Sequence, residues 1–242
     1  MDRFQVARFL RLQPWFAQLN PHLQEKLIRE AYTLRAHKGD VLLPSGKESE
    51  GWYAVLWGFV KLQSPFRDEQ GSAFLALTGG EWFGEGSALK GESRRYEVVA
   101  LRDSELVCIP RPQFQEMLAT SVPFNHAVLA CMNQRLGQAM AIIEANRTGS
   151  LEQRLALYLS RLFWHGLRRL NLSQEELGCL AGMSRQAANR ALKGLEIRGL
   201  VALRHGRVME VDQDAVGAFL GGADVARPGA ARAAHLAAVA TG

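Results

Sequence analysis

The spacing of apolar positions changes period along the chain, and each change marks a new kind of element. In "NPHLQEKLIREAYTL", Leu23, Leu27 and Ala31 fall on one helical face, with Asn20 placed to cap the helix and Pro21 at its first position. From residue 37 to about 109 the period shortens. The apolar runs "VLL", "WYAVLWGFVKL", "AFLAL", "YEVVAL" and "ELVCI" are cut by "HKGD", "PSGKESEG", "FRDEQG", "TGGE", "KGES" and "LRDS". Short apolar runs between turn signals predict an antiparallel barrel, roll or sandwich.

After the break at Pro123 the helical period returns, and Leu129, Met132, Leu136, Ala139 and Ile143 follow the 3, 4, 3, 4 spacing of a coiled-coil seam. This pattern favours a dimerising helix over a long core helix packed on its own β domain. Ser150 with Gln153, and Ser173 with Glu176, then write two capping boxes. A tight turn falls at Gly182 and Met183, Ser184 can cap a further helix, and "LVALRHGRVMEV" reads as two strands around His205 and Gly206. Helix, helix, turn, helix, hairpin is the order of a winged helix-turn-helix. The predicted fold is α+β: an N-terminal antiparallel β roll with an effector-sensing role (residues 1–122), a dimerisation helix (123–147), a winged helix-turn-helix (148–220) and an Ala- and Gly-rich low-complexity tail (221–242).

Composition narrows the picture only modestly. The 242 residues are 48% hydrophobic, enough for real cores, and the net charge of +5 permits nucleic-acid binding without demonstrating it. Cys108, Cys131 and Cys179 are odd in number and far apart, so neither a disulfide framework nor a CxxC site is written. No run approaches the roughly 18 apolar residues of a membrane span, and the N-terminus lacks a signal-peptide pattern; a cytoplasmic location is expected. Metal-ligand His spacing, a GxSxG elbow and a GxxxxGK[ST] loop are all missing, so no enzyme is expected.

The chemistry concentrates in "GMSRQAANRALKGLEIRGLV". Arg185, Gln186, Asn189, Arg190 and Lys193 share one helical side, and Ala188, Ala191, Leu192 and Leu195 the other. The second helix of a helix-turn-helix enters the major groove N-terminus first. Arg there can bond guanine O6 and N7, and Gln or Asn adenine N6 and N7. Ser173 and Ser184 at helix N-termini, and Lys193, Arg198 and Arg207 by charge, are the candidates for phosphate. A solvated face, or a helix-turn-helix used for protein contact, is the competing account.

Over about residues 10 to 220 the chain resembles the CRP/FNR family of bacterial transcription regulators. "LSQEELGCLAGMSRQAANRALKGLEIRGLV" is similar to the family's Ser-Arg-Glu-Thr-x-x-Arg recognition helix. "GEWFGEGSALKGESRRYEVVA" is similar to its cyclic-nucleotide phosphate cassette. The resemblance implies that Arg185 and Arg190 read bases and that Gln186 stands where a Glu is usual, which alters the half-site. It also implies double-stranded DNA with a palindromic site, a second copy of the chain and RNA polymerase as partners.

For the effector, the resemblance places Gly84 and Glu85 at the cassette's opening and either Arg94 or Arg95 as the cation that neutralises a cyclic phosphate. Glu85 matches the residue that bonds a ribose 2′-hydroxyl. The family's Arg-Ser-Ala becomes "RRYE", which removes a phosphate-side Ser and brings in Glu97, whose charge would repel a phosphate if it points inward. Ala139 and Met140 stand where the cyclic-AMP-dependent member offers a Thr-Ser pair to adenine. The cofactor is therefore left open, with a cyclic nucleotide one candidate among small-molecule effectors. The first cysteine comes only at Cys108, which disfavours an iron-sulfur cluster, and the six histidines form no pair suited to haem. A cyclic-nucleotide or small-anion binding module acting through protein contacts is the alternative function.

Among the aromatics, Trp52, Tyr53, Trp57 and Phe59 are expected to fill the roll's core. Met132 and Met140 are expected to pack a helix seam.

Overall fold

The computed structural model describes residues 3–65, 73–164 and 172–221. The chain divides into two compact units, Met1–Met140 with Cys179–Ser184, and Ala141–Gly178 with Arg185–Gly242.

The first unit opens with α1 (Arg3–Arg11), a 3-10 turn and α2 (Pro21–Glu30). Asn20 caps α2 as expected, its Oδ1 accepting from the Leu23 amide at 2.8 Å. The helix ends earlier than its apolar period suggested, because Tyr32 pairs with Cys108 and the following residues join a sheet. The strands are β1 (Tyr32–Ala36), β2 (Val41–Leu43), β3 (Gly51–Trp57), β4 (Phe59–Gln63), β5 (Ala73–Thr78) and β6 (Trp82–Phe83). Helix α3 (Glu85–Lys90), β7 (Glu97–Ala100), β8 (Ser104–Pro110) and α4 (Arg111–Thr120) follow. Two antiparallel sheets, ordered β1-β8-β3-β6 and β2-β7-β4-β5, form the predicted roll. Two constrictions set its strand crossings. A Cβ on Gly51 would lie 2.0 Å from the Ile109 carbonyl oxygen, and Gly58 holds φ +102 against Ser104.

Helix α5 (Val122–Thr148) runs unbroken across the predicted boundary at residue 123. Pro123 sits in its first turn, where a missing N–H costs nothing. Phe124 and Val128 enter an aromatic core with Trp15, Trp52, Trp82 and Phe114. Trp52 and Tyr53 are buried, as is Phe59, but Trp57 is 45% exposed, contrary to expectation. It lies at the end of β3, where its indole N–H donates to Glu105 Oε2 at 2.8 Å and holds the ring at the surface.

The second unit contains α6 (Leu151–Leu157), β9 (Leu172–Ser173), the start of α7 (Gln174–Ala181), α8 (Arg185–Ile197), β10 (Val201–Arg204), β11 (Arg207–Val211) and α9 (Gln213–Phe219). Ser150 and Gln153 cap each other's amides. The Ser150 capping box predicts a helix through "LEQRLALYLSRLFWHGL", but α6 ends at Leu157, whose carbonyl is taken by the Ser160 hydroxyl at 2.7 Å. Residues 165–167 of that segment, the "FRDEQG" turn from Phe66 onward and the tail beyond Gly221 lie outside the described residues. β10 and β11 form the expected hairpin, turning on His205 (φ 50) and Gly206 (φ 71). β9 completes its sheet. Helix α8 packs on α6 and β10. Arg198 Nε pairs with Glu152 Oε2 at 3.2 Å.

Candidate nucleic-acid interface and effector site

The interface begins with the turn. Gly182 takes φ +60, a left-handed conformation that costs glycine little, and Ser184 immediately precedes α8. Ala188, Ala191, Leu192 and Leu195 are buried, leaving Ser184, Arg185, Gln186, Arg190 and Lys193 exposed. Among the described residues, no acidic side chain lies within ion-pair distance of Arg185, Arg190 or Lys193. Three cations on one helical face therefore keep their charge available to an outside anion.

Asn189 is placed differently. It is half-buried, and its Oδ1 is buried without a hydrogen-bond partner among the described residues. An unmade bond of this kind costs about 1–3 kcal/mol. Ser173 lies apart from α8 in sequence and is engaged in a capping box. Its Oγ accepts from the Glu176 amide at 3.1 Å and its own amide donates to Glu176 Oε2 at 2.7 Å. The hydroxyl proton remains available for donation. Arg198, a candidate for phosphate by charge, is committed instead to Glu152 and lies 5.5 Å from the centroid of the Phe219 ring.

In the first unit, a cavity of about 290 Å³ is lined by Gly84, Glu85, Gly86, Ser87, Lys90, Glu92, Arg95 and Tyr96. Gly84 holds φ +88 at the N-cap of α3, where a Cβ would crowd the Tyr53 ring at 3.2 Å. Glu85 Oε2 is buried with no hydrogen-bond partner among the described residues. The two candidate arginines separate. Arg95 is exposed at the cavity and pairs with Glu92 at 3.4 Å. Arg94 is 4% exposed and bonds the Pro44 carbonyl at 3.3 Å and the Tyr53 hydroxyl at 3.4 Å. Glu97 does not line the cavity, since its Oε2 accepts from Gln63 Nε2 at 3.0 Å across β4 and β7.

Sequence reasoning overlooked Ser87, Lys90, Glu92 and Tyr96, although all four lie inside the cassette-like stretch. Burial, and then the charge of Glu85, push the Tyr96 phenol up to about 12. The same two causes act in the same order on the Cys131 thiol of α5, also raised to about 12. Both groups therefore feel the Glu85 carboxylate. Ala139 and Met140, farther along α5, are exposed and offer no side-chain hydrogen bond.

Among the described residues no helix is long and apolar enough to cross a membrane. No three His, Cys, Asp or Glu side chains gather there to hold a metal ion.

A β roll followed along the chain by a capped helix-turn-helix and its wing defines a class of DNA-binding transcription regulators. The description "Cyclic nucleotide-binding domain" matches residues 33–121, and "Crp-like helix-turn-helix domain" matches residues 153–216. The chain is 31% identical over 175 residues to the cyclic AMP receptor protein of Thermus thermophilus, covering 71% of this chain and 80% of that protein. The solved structure of a CRP/FNR-family transcriptional regulator from Thermus thermophilus is 25% identical, with TM-score 0.57 over 78% of this chain and 98% of that one. FixK2 from Bradyrhizobium japonicum shares the fold, with TM-score 0.67 at 18% identity over 78% of this chain and 96% of that one. The chain belongs to the CRP/FNR family, whose members are transcription regulators and not enzymes.

Proposed function

We propose that the chain acts as a homodimer on a palindromic DNA site and that an effector bound in the β roll modulates its activity. The observation that carries this reading is the cationic outer face of α8, free of acidic partners among the described residues and backed by an inner face of buried Ala188, Ala191, Leu192 and Leu195. Arg185, Gln186, Asn189 and Arg190 read base edges, while Ser173, Ser184 and Lys193 position the protein on phosphates. Two such helices meet half-sites roughly 34 Å apart. RNA polymerase is the expected protein partner at a promoter.

The second copy is expected on α5, where Leu129, Met132, Leu136, Met140 and Ile143 form an exposed apolar stripe. Ala139, expected in the seam, is exposed beside Met140 on the same helix. For the effector, Glu85 supplies an unpartnered acceptor for a hydroxyl and Arg95 a cation for an anionic group, a pairing that fits a ribose phosphate. Arg94 is held inside the roll and supports its fold. Ala139 and Met140 supply no hydrogen bond to a base, so recognition of any base rests on other contacts.

Selection from randomised duplex DNA tests the first half. A palindromic site whose affinity drops with Arg185→Ala and Arg190→Ala is expected; no enriched site, or unchanged affinity in both variants, overturns the reading. Titration calorimetry with cyclic AMP and cyclic GMP tests the second. Heat that disappears in Glu85→Ala and Arg95→Ala supports cyclic-nucleotide control, and silence at millimolar nucleotide rejects it.

A further inference from the structure

The charged lining of the cavity beside Glu85 is balanced within the chain itself. Glu85 and Glu92 supply carboxylates, and Lys90 and Arg95 supply cations. Glu92 engages both cations. Its Oε1 lies 3.8 Å from Lys90 Nζ, and its Oε2 accepts from Arg95 Nη2 at 3.4 Å. Glu85 differs, since its Oε2 is buried without a donor among the described residues. Lys90 and Arg95 thus converge on one carboxylate of the chain, where an outside anion would otherwise sit.

The backbone holds Glu92 at that point from both sides. Gly91 ends α3 at φ +70, a left-handed turn that glycine adopts readily, and its amide donates to the Ser87 carbonyl at 2.8 Å. Helix α4 anchors the same turn, because Arg111 Nε and Gln115 Nε2 donate to the Ala88 carbonyl at 3.2 and 2.9 Å. On the far side Ser93 bridges Glu48, and the Arg94 amide donates to the Lys47 carbonyl at 2.9 Å. The main chain at Glu92 is therefore fixed, while its side chain is 47% exposed. Exposed ion pairs are individually weak, so an incoming anion can displace this carboxylate. A carboxylate left in place would repel that anion over a distance well inside the screening length.

We propose that Lys90 and Arg95 form a two-cation seat for the anionic group of the effector, and that Glu92 is the seat's resting occupant, a built-in competitor that sets how much effector is needed. The charges select a singly charged ribose phosphate. With Glu92 displaced, Lys90 and Arg95 against Glu85 leave one positive charge, which a monoanionic phosphodiester neutralises and a dianion exceeds. Recognition of an effector by Glu85 and Arg95 rests on the function proposed above; the roles of Lys90 and Glu92 rest on the contacts just described.

Titration calorimetry with cyclic AMP and cyclic GMP compares full-length wild type with Glu92→Gln, Lys90→Gln, Arg95→Gln and the Glu92→Gln/Lys90→Gln/Arg95→Gln triple variant, at about 20 mM and about 200 mM salt. Glu116→Gln is the control, since it changes the net charge equally but breaks an ion pair with Lys26 (2.7 Å) outside the cavity. Glu92→Gln is expected to bind cyclic nucleotide about fivefold more tightly at low salt, with the gain shrinking at high salt. Heat seen only in Glu92→Gln counts as that gain. Lys90→Gln and Arg95→Gln should each weaken binding roughly threefold or more, and Glu116→Gln should stay within about twofold. A gain under about twofold in Glu92→Gln, a gain that survives in the triple variant, or unchanged affinity in Lys90→Gln overturns the proposal. If no variant gives heat with either nucleotide, cyclic-nucleotide control fails as a function, and sulfate decides the seat independently. Melting temperatures are then compared in sodium sulfate and sodium chloride at equal ionic strength. A larger sulfate-specific rise in Glu92→Gln than in wild type and Glu116→Gln, lost in the triple variant, upholds the seat; any other pattern rejects it.

Discussion

Truncating Leu136 tests the dimer seam with a magnitude that follows from its exposure. Leu136 is 59% exposed on the stripe of α5, between Met132 and Met140. Full burial of a leucine side chain is worth about 1.5–3 kcal/mol, so covering its exposed part contributes roughly 1–2 kcal/mol per copy. A two-fold axis makes the same residue count twice. Leu136→Ala keeps Cβ and should therefore weaken the dimer by about 2–3 kcal/mol, roughly a 30- to 150-fold rise in Kd. Sedimentation across a dilution series reads this directly, with circular dichroism confirming that α5 remains folded. The variant should stay folded, since Leu136 is not part of the roll's core and Ala favours a helix. A Kd unchanged within twofold, or a wild-type chain that remains monomeric at tens of micromolar, would refute the seam.

Gln186→Glu should shift base preference at one base pair per half-site from adenine towards cytosine, by about 1–3 kcal/mol, as read by repeating the selection from randomised DNA. Gly51→Ala should cost at least about 3 kcal/mol, roughly 6–12 °C in Tm, because its new Cβ would lie 2.0 Å from the Ile109 carbonyl oxygen in a backbone pair that cannot part. Glu105 predicts a pH dependence. Burial raises its carboxyl, but hydrogen bonds from Arg35, Trp57 and Thr33 outweigh that and hold it below its ordinary 4.5. Its contribution is thus complete above the unfolded value and is lost as pH falls through the lower folded value. Denaturant melts between pH 7 and pH 3 should show a steeper acid-side loss for wild type than for Glu105→Gln, and parallel curves would remove the effect.

Much of the helix-turn-helix was legible because its determinants are local. The polar and apolar faces of α8 follow from residues three and four apart, and the Ser150 and Ser173 capping boxes from residues three apart. The wing turn at His205 and Gly206 was read from neighbours in the chain. In the roll, turn signals located the strands, and their pairing followed the antiparallel class they implied. Reading faltered where a long-range partner decided the outcome. Trp57 looked like core until Glu105, 48 residues away, drew its N–H to the surface. The helical period ran past Glu30, but pairing of Tyr32 with Cys108 turned the chain into a strand.

The same division runs through the functional sites. By itself, the sequence determined which residues carry charge and hydrogen-bonding capacity on α8 and which apolar side chains line one stripe of α5, because helical periodicity assigns faces without reference to the rest of the chain. Only the tertiary structure decided that Arg95 borders the cavity while Arg94 turns inward, since the chain bends at Arg95 and Tyr96 just before β7, and the partners that hold Arg94, the Pro44 carbonyl and the Tyr53 hydroxyl, come from distant parts of the roll. Tertiary structure also decided what anchors the turn that carries Glu92. Arg111 and Gln115 reach the Ala88 carbonyl from 23 and 27 residues farther along the chain, and they do so only because α4 packs beside α3.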